Sequence, residues 1–263
     1  MRHALLVVLG IIGCGQALNA ATIKIAGAAW CPLNCVAETG EKNRGSLIDI
    51  VEQIFKAKGM AVDYREMPWA RAKSEAASGA VDALIGAVPG DAPELVHPRE
   101  PIGYSQICFY TRKDSTWTYQ NIDSLKAIKL GILRDQAYWP EVDKYIEANK
   151  NDTKLIYTQS AHMYLESNFD MLGHKRIDAT LDDANVAAYL LKRKNLARDF
   201  KVAGCLQGAA VYVAFTPAKA EAKEMVKVID EGMDQIRKSG ELSRILEKYG
   251  LEDWAKKDLL RVN

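Results

Sequence analysis

The sequence predicts an α/β protein built as two units of alternating strand and helix. Three observations carry that expectation. Short β-type apolar runs recur between segments of helical periodicity. The alternation β-α-β-α-β is complete before residue 90 and starts again after residue 120. A late apolar strand is followed by a long helical C-terminal region, so the second series is not the end of the fold.

In the first series, "TIKIA" (22–26) is a short β-type run. Gly45 to Lys58 places Leu47, Ile48, Val51, Ile54 and Phe55 at helical spacing, and Gly59 ends the helix. "MAVDYREM" alternates as a strand, Pro68–Ser78 reads as a helix with proline in its first turn, and "VDALIGAV" is a buried strand. "QICFYTRK" is a further strand.

"NIDSLK" opens the second series: strand "AIKLGIL", helix "YWPEVDKYIEA", strand "KLIYT", helix "AHMYLESNFDMLG", strand "IDATLD" and helix "ANVAAYLLKR". "GAAVYVAF" is the late strand. The last helical region, residues 219–250, lines up Val226, Ile229, Met233 and Ile236 on one face. In such folds ligands bind at the carboxyl ends of strands or between domains.

The 263 residues suit one large domain or two lobes. A formal net charge of +1 gives no argument for nucleic acid or an anionic membrane as a partner. Arg2 and His3 precede the apolar run Ala4–Ile12, and small residues follow, which is the pattern of a signal peptide cut near Ala20 or Ala21. "IIGC" also resembles a lipoprotein box ending at Cys14, so lipid anchoring there is the alternative. The mature chain is expected to be soluble and periplasmic.

Export favours disulfides. Cys31, Cys35, Cys108 and Cys205 permit three pairings. The closeness of Cys31 and Cys35 favours a local staple, which leaves Cys108–Cys205 to close a long loop. No His lies near the first pair, so a metal site is not expected, nor is any cofactor.

The pieces "GSLIDIVEQIF", "AASGAVDALIGAV", "IDSLKAIKLGIL", "GHKRIDATLDDANVAAYLL" and "SGELSRILEKYG", in this order, resemble the bacterial extracellular solute-binding proteins of family 3. The resemblance spans essentially the whole mature chain. It implies the two-lobed periplasmic binding protein fold (type II), with mainly parallel sheets flanked by helices and a two-strand hinge. The implied division is a signal peptide over 1–20, a first lobe from 21–111 and 207–263, and a second lobe over 112–206. It sets Cys108 near the first hinge strand and Cys205 near the second.

The resemblance also nominates binding residues. Trp30 and Trp69 stand where such proteins stack aromatic faces on the ligand. Spacing alone favours the core for both tryptophans. Arg71 is either a solvated helix residue or a donor to an anionic or carbonyl group, since guanidinium grips carboxylate with paired hydrogen bonds. Asp183 matches the carboxylate that holds a ligand ammonium. Asp182 is its alternative, and an N-cap is the other role open to such an aspartate. Arg134 lies at a strand-to-helix loop of the second series, where helix N–H groups also favour anions.

Amino-acid receptors of this family hold the ligand carboxylate with a backbone N–H at the position of Pro89 and an arginine about five residues on. Pro89 has no N–H, and Pro93 and Glu94 offer no guanidinium. The expected function is reception of a small polar solute, amino-acid-like or cationic, by a monomer that delivers it to an ABC-type permease. A sensor subunit for a separate signalling protein is the alternative within that class. A cyclohexadienyl dehydratase-like enzyme on the same fold is the alternative outside it, but His97, His162 and His174 are scattered and make no catalytic constellation.

Overall fold

The computed structural model describes residues 21–35, 44–88, 90–134, 136, 138–160 and 164–257. The signal segment, Cys14, Pro89 and His162 lie outside the described residues. The expected two-lobed α/β fold is present, as two five-stranded sheets.

The first sheet has the order β2-β1-β3-β10-β4, with β1 Thr22–Gly27, β2 Ala61–Glu66, β3 Ala83–Ala87, β4 Gly103–Ser105 and β10 Ala209–Phe215. β1 runs parallel to β2 and β3, and β10 runs antiparallel to both β3 and β4. α1 (Ser46–Ala57) buries Leu47, Ile48, Ile50, Val51, Ile54 and Phe55, the face its spacing predicts. This face packs with α6 (Ala222–Lys238) and α7 (Glu241–Lys248) over one side of the sheet. Gly232 lets α6 approach α1 closely: a Cβ there would fall 2.4 Å from Ile54 Cγ2. α2 (Trp69–Ser78) covers the other side through Ala72 and Ala76.

The second sheet has the order β7-β6-β8-β5-β9, with β5 Ile107–Arg112, β6 Leu130–Leu133, β7 Ile156–Gln159, β8 Ala179–Asp183 and β9 Phe200–Cys205. α3 (Pro140–Asn149) lies on one face, and α4 (Tyr164–Gly173) and α5 (Ala184–Arg193) on the other. Phe109 and Leu181 sit in the first of these two cores, and Phe169 and Leu172 in the second.

Some expectations shift. The single C-terminal helical region is two helices, because Gly240 takes a left-handed φ of 79° and stops the first. β4 and β9 were not expected: both are edge strands, β4 has only three residues, and β9 (FKVAGC) alternates weakly. The sequence-based lobe boundary at residue 111 falls inside β5. The chain changes sheets between Ser105 and Ile107, because β5 pairs with β8 and β9. It returns between Cys205 and Ala209.

Both disulfides are formed. Cys31–Cys35 staples the loop after β1, and Cys108–Cys205 joins β5 to β9 at directly paired positions.

Candidate functional site

Strand direction decides which residues meet. β1, β2 and β3 are parallel, so Trp30, Trp69 and Val88 all follow strand ends at one edge of the first sheet. β6, β7 and β8 are parallel, so Arg134, Ser160 and Asp183 share the corresponding edge of the second sheet. β4 ends at the first edge and β5 begins at the second, since Ile107 pairs with Asp183. β9 ends at the second edge and β10 begins at the first. Two crossings therefore connect carboxyl edge to carboxyl edge, the place where α/β sheets bind ligands.

On the first edge, Trp30 is half-buried and fixed by a tight turn. Its N–H donates to the Asn34 carbonyl at 2.6 Å, and its own carbonyl accepts from Leu33 and Asn34 N–H at 2.8 and 2.9 Å. Gly86 takes the left-handed φ of 95° beneath the ring, where a Cβ would crowd Asn34 Nδ2 at 3.3 Å and only touch Trp30 Cε3 at 3.8 Å. Trp69 opens α2 and is half-buried against a cluster that includes Met67 and Leu84. Lys73 Nζ lies 6.0 Å from its ring centroid, one turn on, so the indole already faces a cation.

Arg71 points to solvent. Its side chain is 68% exposed and its Nε donates to Glu75 Oε1 at 2.7 Å, an i,i+4 surface pair. Arg134 is exposed too. Its backbone N–H donates to the Gln159 carbonyl at 2.8 Å, and its side chain lines a groove of about 830 Å³ beside α3.

Asp183 is 1% exposed, and both carboxylate oxygens accept hydrogen bonds. Ser105 Oγ and the Gln106 N–H donate to Oδ2 at 2.7 and 3.2 Å. The Asn185 and Val186 N–H groups donate to Oδ1 at 2.8 and 3.3 Å, so Asp183 is the N-cap of α5. Burial raises its pKa above the ordinary aspartate value against the lowering effect of these four donors. The carboxylate thus bonds both to its own helix and to the first crossing. Asp182 is also buried, and its Oδ1 accepts from the Asp183 N–H at 2.6 Å.

The crossings bond to one another as well. Gln106 Nε2 donates to the Leu206 carbonyl at 3.0 Å, and the Leu206 N–H to the Ile107 carbonyl at 2.8 Å. Gly208 lies against the Tyr104 ring, which would have to shift for a larger residue, since a Cβ there would stand 2.2 Å from Oη. Sequence reasoning missed Ser105, Gln106 and Gly208, because their roles appear only when the two crossings are paired in space. The described histidines serve locally. His97 bonds the Ala92 carbonyl and edges onto Tyr212, while His174 is exposed beside Asp170. Among the described residues no group of three or more His, Cys, Asp or Glu side chains is placed to hold a metal.

Comparison with known proteins settles the class of this architecture. The profile of the bacterial extracellular solute-binding proteins, family 3, matches residues 23–252. The chain belongs to that family. The probable amino-acid-binding protein YxeM of Bacillus subtilis (strain 168) is 24% identical over 217 residues, 81% of this chain and 78% of that protein. Among solved structures, an ancestral arginine-binding protein bound to arginine superposes with a TM-score of 0.64 at 19% identity, covering 88% of this chain and 98% of that one. The substrate-binding protein of an amino acid ABC transporter gives 0.59 at 19% identity, covering 88% and 99%. This family-3 protein is accordingly a solute-binding protein rather than an enzyme.

Proposed function

We propose that this family-3 protein captures a small amino-acid-like or cationic solute between its two sheet edges, as a monomer, and delivers it to the permease of an ABC transporter. The observation that carries the reading is the pair of crossings joining carboxyl edge to carboxyl edge, with Trp30 and Trp69 half-open on the first. The likeness to an amino-acid-binding protein and to an ABC transporter component supports the solute class and the partner. Export through the 1–20 signal is part of the same reading.

Trp30 and Trp69 supply aromatic walls worth about 0.5–2 kcal/mol each toward a cation. Asp183 and Arg134 supply the second wall, and Arg71 is a reserve donor, since its surface pair with Glu75 is weak. Pro89 removes the backbone donor that an α-carboxylate would need. The solute's acid end, where it has one, is held by an arginine elsewhere, or the solute is an amine without one.

The test is native mass spectrometry of protein purified from the periplasm without refolding, followed by titration of the released solute. One small-molecule adduct is expected, and Trp69→Ala should weaken its binding at least about tenfold, a loss of about 1.4 kcal/mol. An unchanged affinity removes Trp69 from the site.

A further inference from the structure

A second cavity, of about 210 Å³, lies beside the first crossing. None of Trp30, Trp69, Arg71, Arg134 or Asp183 lines it. Its walls come from both lobes. Leu47, Ile102, Leu251 and Trp254 belong to the first, and Ala184 and Asn185 at the start of α5 belong to the second. Asn185 Nδ2 donates to the Tyr104 carbonyl at 2.9 Å, which holds the two walls together. Gly250 meets Lys192 of α5 on the C-terminal side, where an added Cβ would stand 3.4 Å from Nζ.

The lining mixes apolar residues with Tyr104, Gln106, Asn185 and Glu252, and two of its polar atoms are anomalous. Ser46 and Trp254 both line the cavity and are 0% and 4% exposed. Ser46 Oγ and Trp254 Nε1 are buried without a hydrogen-bond partner. Buried polar groups are normally paired, so each such orphan calls for an explanation. The Trp254 ring is not free to leave: Arg237 sits 5.6 Å over it and is itself paired with Asp253.

We propose that this cavity is a second ligand site, built for a neutral single-ring molecule that carries a hydroxyl, of the phenol class. Size sets the first limit. An apolar cavity of about 150 Å³ takes benzene, so this one takes one ring with a substituent. Chemistry sets the second. An indole N–H only donates, whereas a hydroxyl donates and accepts, so one guest hydroxyl can receive from Trp254 and give to Ser46 after a small turn of either side chain. Charge sets the third limit: Glu252 in the lining would repel an anionic guest, and the leucine and isoleucine walls would penalise an unpaired ion. Because both lobes form the walls, occupancy of this site and the angle between the lobes are linked, and the linkage is reciprocal with solute binding at the sheet edges.

The experiment titrates 4-fluorophenol into the full mature chain and follows it by fluorine NMR. Saturable binding to one site is expected. Ala184→Phe, which fills the cavity from the second-lobe wall, should abolish it, and Trp254→Phe, which keeps the ring and removes the N–H, should weaken it about tenfold. Circular dichroism reports whether Ala184→Phe is folded; if it is not, Trp254→Phe decides alone. No saturation by the unaltered protein, or an unchanged affinity in every folded variant, overturns the proposal.

Discussion

The two sheet edges differ in how they use their functional side chains. On the first, Trp30 and Trp69 remain half-buried, each anchored by its own turn or helix with part of the ring outside the core. On the second, Asp183 is sealed and every oxygen is spoken for, by Ser105 and Gln106 on the crossing and by the start of α5. The first edge keeps surface available for recognition. The second uses its best polar group to join the lobes, so a solute that engages Asp183 must compete with donors already in place.

The sharpest way to break that contrast is to cut the covalent tie at the crossings. Cys108 and Cys205 are 97 residues apart in sequence, and Cys31 and Cys35 only 4. Chain-entropy reasoning gives about 4–5 kcal/mol for the long closure and about 2 kcal/mol for the short one. Replacing Cys108 and Cys205 with serine should therefore lower the unfolding free energy in a denaturant titration well beyond the Cys31 and Cys35 double replacement. Equal losses would mean that the crossings are held by something other than this bridge.

Next in size is Asp183→Ala, expected to cost about 3 kcal/mol, because it strands four donors and an N-cap. A loss below about 1 kcal/mol would mean that those donors find other partners. Asp183→Asn adds a test of sign. Burial raises the native pKa of Asp183, so its contribution to stability is complete below the ordinary carboxylate range and is lost as pH rises through that native pKa. Stability measured across acidic pH should show the unaltered protein gaining on the variant as pH falls, and a gain in the opposite direction would refute the burial effect.

The smallest effect belongs to the first edge. Arg71→Ala removes an exposed pair and should change stability by less than about 0.5 kcal/mol. A larger change in solute affinity than in stability would bring Arg71 into the recognition surface.

Much of this was legible in the chain. Leu47, Ile48, Val51, Ile54 and Phe55 announce α1 because a helix that buries one face must repeat its apolar residues at 3.6. The strands β3 (ALIGA) and β6 (LGIL) show as apolar runs because helices cover both their faces. What was not legible depended on pairing across long separations. β4 has three residues and β9 is an edge strand, so neither needs a strong pattern. Asp183 read first as a ligand contact with an N-cap as the alternative, and the bonds from Ser105 and Gln106, nearly eighty positions earlier, could not be seen from its neighbours.

The position of β10 carries a consequence for how the protein is made. It lies between β3 and β4, so the first sheet lacks an interior member until residues 209–215 have been synthesised. The second sheet closes entirely within residues 107–205 and waits for nothing downstream. A chain emerging in order therefore carries an unfinished amino-terminal half through most of its synthesis.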